Sequence, residues 1–147
     1  MADLAAAFRH ERIGVDTPIF IYHIEGTTHL AGLAGVALDE LAGGAFTGVT
    51  SVLALMEIAV KPLHMRRPDV AEEYEVLLAN DPNLVIAALD RPAARRAAEL
   101  RAEYRLRPAD ALQVAACLEQ GATAFLSNDR ELRRITDLHV WMLEDFV

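Results

Sequence analysis

The stretch LRPADALQVAACLEQGATAFLSND, Leu106 to Asp129, holds a helix, a stop and a strand in direct succession. Pro108 suits a first helical position, Asp110 places negative charge in the first turn, and the alanine-rich run predicts a helix as far as Gln120. Gly121 ends it, and TAFLS is short, apolar and bounded by polar residues, as a buried strand is. The unit closes on SNDREL, which leaves Asp129 just past the strand.

Upstream the alternation repeats. RIGVDTPIFIY predicts a buried strand over Ile13–Val15 that ends at Asp16, with Pro18 starting the next helix. THLAGLAGVALDELAGG spaces Leu30, Leu33, Ala34, Ala37, Leu38 and Leu41 at helical intervals and stops at Gly43 and Gly44. AFTGVTS (Ala45–Ser51) suits a second strand, and Thr50 or Ser51 can cap the helix that follows. A helix over Pro68–Ala79 closes at the turn signal NDPN, and LVIAAL (Leu84–Leu89) is a third strand. A helix from Pro92 to about Tyr104 precedes the Leu106–Asp129 unit, and HVWML supplies a fifth strand. The first eleven residues read as a short N-terminal helical extension. With no repeat, low-complexity stretch or linker, residues 1–147 are expected to form one domain. Strands alternating with helices predict an α/β sandwich on a mostly parallel five-stranded sheet, with ligands gathering at the carboxyl ends of the strands.

Composition narrows the function classes. A chain of 147 residues, 53% hydrophobic, can bury a sizeable core and is unlike a disordered one. It contains no apolar run long enough to span a membrane, and MADLAAAFRHER does not resemble a secretory leader. The one cysteine, Cys117, lies in an apolar helical run and reads as a small core residue, consistent with a cytoplasmic protein. A formal charge of -8 disfavours sequence-independent adhesion to nucleic acid. The bases are nevertheless clustered: RPAARRAAELRAEYRLR carries six arginines, and KPLHMRR begins four residues after Glu57. Arginine's planar fork suits phosphate, although solvated helix faces with Arg/Glu pairs account for the same pattern.

Four acids then stand out. Asp16 follows the first strand, Asp129 follows the fourth, Asp110 opens a helix, and Glu57 lies within VLALMEIAV, where every other residue from Val52 to Val60 is apolar. Singly, Asp16 can cap a helix, Asp110 can complement a helix dipole and Asp129 can belong to a turn. Glu57 is harder to dismiss, because a buried carboxylate is costly without a partner. Its apolar neighbours are expected to be the core that fixes its position. Together, four carboxylates near one sheet edge would repel one another unless cations held them. An all-oxygen set suits Mg²⁺ or Mn²⁺ rather than zinc, and such ions support phosphodiester hydrolysis. The histidines show no metal-ligand spacing, no glycine-rich phosphate loop is present, and Phe125 and Trp141 read as core.

In VDTPIFIYHIEG, TSVLALMEIAVKPL, LRPADALQVAACLEQGATAFLSND and DREL the chain resembles PIN-domain ribonucleases, most closely the VapC-type toxins of toxin-antitoxin pairs. The resemblance implies a PIN-like three-layer α/β/α sandwich and a metal-dependent endoribonuclease, the toxin of a type II pair. It implies that Asp16, Glu57, Asp110 and Asp129 are the catalytic, metal-binding acids, with Mg²⁺ or Mn²⁺ as cofactor. Thr17 and Ser127 match the accompanying hydroxyl positions. A structured tRNA or rRNA as substrate, a small antitoxin partner and a homodimer are implied in the same way. Lys61, Arg66, Arg67, Arg91, Arg95 and Arg96 are candidate RNA contacts. Pro18 stands where many of these toxins carry Asn or Ser, and the residues before Ile13 exceed the family's usual short N-terminus. A related nuclease acting on DNA and a non-catalytic binding module are the alternatives.

Overall fold

Five short apolar segments lie side by side, and the helices between them cover both faces. The computed structural model describes residues 4–26 and 28–146, so residues 1–3 of the expected extension lie outside the described residues. Strands β1 (Arg12–Val15), β2 (Thr47–Ser51), β3 (Leu84–Ala87), β4 (Ala124–Ser127) and β5 (His139–Met142) form one sheet in the order β3-β2-β1-β4-β5. Every neighbouring pair is parallel, where a mostly parallel sheet was expected. Helices α1 (Leu4–Phe8), α2 (Thr17–Glu25), α3 (His29–Ala42), α4 (Val52–His64), α5 (Pro68–Ala79), α6 (Arg91–Tyr104) and α7 (Pro108–Glu119) complete an α/β sandwich.

Successive residues of a strand face opposite sides, and the two sides have separate cores. Ile13, Val15, Ala124 and Leu126 pack with α1, α2 and α3, whereas Val49 and Phe125 pack with α6 and α7. Glycine stands where a helix presses hardest. A Cβ on Gly14 would meet Phe125 Cδ1 at 2.5 Å and Cys117 Sγ at 2.8 Å, so only glycine lets α7 settle this close to β1. Cys117 is fully buried there, and burial pushes its thiol pKa up, as for an inert core residue.

Helix α1 is part of this packing. Phe8 is fully buried and meets Phe46, Trp141 and Phe146 edge-on, with ring centroids 5.2, 5.9 and 5.4 Å apart. Helix α4 departs from expectation. Ala54, Ile58 and Pro62 are buried, but Val52, Met56, Val60 and Leu63 form an exposed apolar row, so the run around Glu57 is only half core. Strand β2 begins at Thr47 rather than Ala45, because Phe46 turns into the aromatic cluster, and β3 ends at Ala87 rather than Leu89. No helix among the described residues is long and apolar enough to cross a membrane.

Candidate active site

The chain passes from β1 outward through β2 to β3, then returns to the other side of β1 to lay down β4 and β5. A parallel sheet has its natural crevice where strand order reverses in this way, outside the carboxyl ends of the strands. Here that place lies between the ends of β1 and β4, and the loops leaving those strands carry Asp16 and Asp129.

Asp16 is the buried member, 8% exposed. It is the N-cap of α2, its Oδ1 accepting from the Thr17 amide at 3.0 Å. Its Oδ2 accepts from the Ser127 hydroxyl at 2.7 Å, a contact between residues 111 positions apart. Ser127 Oγ in turn accepts from the Asp129 amide at 3.1 Å. On the other side the Thr17 hydroxyl donates to Glu57 Oε1 at 2.8 Å. Asp110 and Asp129 are gathered by one guanidinium: Arg107 Nε donates to Asp110 Oδ2 at 3.0 Å and its Nη2 to Asp129 Oδ2 at 3.4 Å. The four acids thus form one chain of contacts, Glu57–Thr17–Asp16–Ser127–Asp129–Arg107–Asp110.

Burial raises the Asp16 pKa to about 6, the Ser127 hydrogen bond opposes the rise, and the charges of Asp110 and Glu57 add to it. A carboxylate in this position gains from an added cation. The simpler roles of the acids are also present: Asp110 lies in the first turn of α7, and Asp129 caps a 3-10 helix over Arg130–Arg134 by accepting from the Glu131 amide.

Gln113, one turn after Asp110, braces the floor. Buried at 2% exposure, its Nε2 donates to Thr50 Oγ1 at 2.8 Å and to the Val15 carbonyl at 3.3 Å, and its Oε1 accepts from the Ser51 hydroxyl. Ser51 also caps α4 by accepting from the Leu53 amide. One amide therefore fastens α7 to the end of β1, which leads to Asp16, and to the end of β2, which leads to Glu57. Gln113→Leu strands two buried hydroxyls and is expected to cost about 1–3 kcal/mol. A urea titration checks this, and an unshifted midpoint at unchanged slope would show that the amide braces nothing.

The candidate RNA contacts are scattered. Lys61 pairs with Glu25 at 3.0 Å and Arg67 with Asp69 at 2.9 Å. Both help line a cavity of about 250 Å³ between α2, α4 and α5 that has Glu57 in its wall, beside the acids rather than over them. Arg66 sits in the turn after α4 with a positive φ of 58°. Arg96 pairs with Glu119 at 2.9 Å, about 13 Å along α7 from Asp110, and Arg95 shares that surface, while Arg91 opens α6. The sequence reading passed over Arg107 and Gln113. Arg107 stands three residues before Asp110, the spacing at which helical side chains meet, and Gln113 is a lone amide in the apolar run ALQVAAC.

An all-oxygen donor set with excess negative charge fits a hard divalent cation in type and in charge. As the side chains lie, no three acids among the described residues stand close enough to enclose one. Glu57 leans on Thr17, while Asp110 and Asp129 lean on Arg107.

Comparison with known proteins agrees with this architecture. The family model described as PIN domain matches residues 13–138. No curated protein is similar enough to the chain to count as a match. Among solved structures, the VapBC2 complex of Rickettsia felis bound to a promoter DNA fragment contains a chain that is 18% identical, with a TM-score of 0.70, covering 89% of this chain and 98% of its own. The DNA-bound VapBC complex of Salmonella typhimurium gives a TM-score of 0.69 at 18% identity, covering 90% and 98%. VapC20 of Mycobacterium tuberculosis, a toxin that cleaves the sarcin-ricin loop, gives 0.61 at 16% identity, covering 77% and 86%. At such identities the likeness is one of fold.

Proposed function

The chain belongs to the PIN-domain family, and on that premise we propose that it is a metal-dependent endoribonuclease, the toxin of a type II toxin-antitoxin pair, acting in the cytoplasm. The observation that carries this reading is the linked set Asp16, Glu57, Asp110 and Asp129 at the carboxyl edge of a parallel sheet. These carboxylates would hold one or two Mg²⁺ or Mn²⁺ ions. A bound divalent cation supplies Lewis acidity toward both the attacking water and the phosphodiester. Asp16 is the most buried of the four, its two oxygens held by the Thr17 amide and the Ser127 hydroxyl. Thr17 orients Glu57 in the same way from the first turn of α2. The substrate class, a structured tRNA or rRNA, follows the sequence resemblance and the sarcin-ricin loop activity of the VapC20 toxin.

A small antitoxin is the proposed partner, and the toxin is expected to pair with a second copy of itself. Similar folds occur in VapBC complexes, and two surface features support a protein partner: the exposed row Val52, Met56, Val60 and Leu63, and the cavity beside Glu57. Incubation with a labelled total-RNA pool tests the activity. Cleavage is expected with Mg²⁺ or Mn²⁺, falling to background in EDTA and returning when metal is restored. Cutting that persists undiminished in EDTA would reject the metal-dependent mechanism.

A further inference from the structure

Among the described residues, Arg107 is the one cation that touches the acids, and it does so from an exposed position. It is the N-cap residue of α7, its side chain is 75% exposed, and it makes no capping hydrogen bond with that side chain. Its guanidinium bridges a carboxylate from the first turn of α7 and another from the loop after β4. Exposed ion pairs of this kind are screened by solvent and contribute little, so the contact holds Arg107 in place only weakly. A divalent ion held by the four acids would compete with that single positive charge for the Asp110 and Asp129 carboxylates. The displaced fork stays anchored at the site by its own backbone, and its five N–H donors are then without carboxylate partners. An incoming phosphodiester offers the planar, bidentate acceptor that such a fork matches.

We propose that Arg107 is the substrate-phosphate residue of this site, resting on Asp110 and Asp129 in the metal-free protein and passing to an RNA phosphate once a divalent cation takes those carboxylates. The inference rests on the reading of the four acids as metal ligands. Of the bases expected to contact RNA, Lys61, Arg67 and Arg96 are paired elsewhere, whereas Arg107 already stands over the acids.

The test compares wild type, Arg107→Gln and Arg107→Lys in two measurements. In calorimetric titration with Mn²⁺ alone, Arg107→Gln is expected to bind roughly fivefold more tightly than wild type, because a competing cation is gone. In cleavage of the total-RNA pool at saturating Mn²⁺ and limiting RNA, the same variant is expected to be at least about tenfold slower, with partial rescue in Arg107→Lys. A residue with only a structural role would not move the two readings in opposite directions, and thermal melts of the three proteins should coincide. Mn²⁺ affinity in Arg107→Gln that equals or falls below wild type, or cleavage undiminished at saturating metal, overturns the proposal and leaves the metal site standing. If wild type takes up no Mn²⁺, the reading of the four acids falls and Arg107 with it.

Discussion

Asp16→Asn is expected to abolish RNA cleavage and, in the same molecule, to make the metal-free protein more stable at neutral pH. The first effect follows from the position of Asp16 at the centre of the acid chain, where the Ser127 hydroxyl, the Thr17 amide and the Asp110 and Glu57 charges meet it. On the proposed reading of Asp16 as a central metal ligand, its loss is expected to lower the cleavage rate by at least ~100-fold, read on the labelled RNA pool. The second effect follows from linkage. The carboxyl has a pKa of about 6 in the fold against an ordinary 3.8, so the folded state binds its proton more tightly than the unfolded chain does. Stability therefore falls as pH rises from about 4 to about 6, and above that the deficit is complete, on the order of 2–3 kcal/mol. Asparagine keeps an acceptor for the Thr17 amide and carries no charge. In EDTA the variant should melt above wild type at pH 7.5, and the two should converge near pH 4. Divalent metal should raise the melting temperature of wild type and leave the variant unmoved. Equal melting temperatures in EDTA at pH 7.5 would contradict the burial argument, and equal cleavage would remove Asp16 from the site.

Phe8→Ala is expected to bring the fold close to collapse. Phe8 is fully buried and sits among three aromatic rings that come from the loop before β2, from β5 and from the C-terminal segment. Truncating a buried phenylalanine costs about 3–5 kcal/mol, a large share of the roughly 5–15 kcal/mol that holds a domain together. Trp141 is the only tryptophan, and its ring centroid is 5.9 Å from that of Phe8, so its fluorescence reports the loss directly in a urea titration. A midpoint unchanged from wild type would mean that α1 is a loose appendage, contrary to its burial.

The placement of strands and helices along the chain was legible because it rests on local signals: prolines at helix starts, glycines at their ends and apolar runs between. The edge at which the acids stand was legible for the same reason, since Asp16 and Asp129 follow strands and Asp110 opens a helix. What escaped depends on tertiary pairing. The apolar run of α4 gives no sign that Val52, Met56 and Val60 face outward, because an unpartnered helix face and a buried one have the same composition. The 3-10 helix over Arg130–Arg134 is too short and too charged to show periodicity. Arg107 was counted within a basic cluster, and only the folded chain distinguishes it from Arg96, which pairs at the other end of the same helix. Gln113 invites the question that singles out Glu57, a polar side chain in an apolar stretch, and its answer lies in two strand ends far away in sequence.

The contact between Ser127 and Asp16 joins residues 111 positions apart, and β1 sits between strands laid down on either side of it. This ordering bears on synthesis, because the contact that fixes Asp16 cannot form until β4 has been made. A ribosome that stalls anywhere before β4 releases a product that lacks Ser127 and Asp129 and has an unpaired edge on β1. Such fragments are expected to be open to proteolysis, and the assembled acid edge belongs only to nearly finished copies.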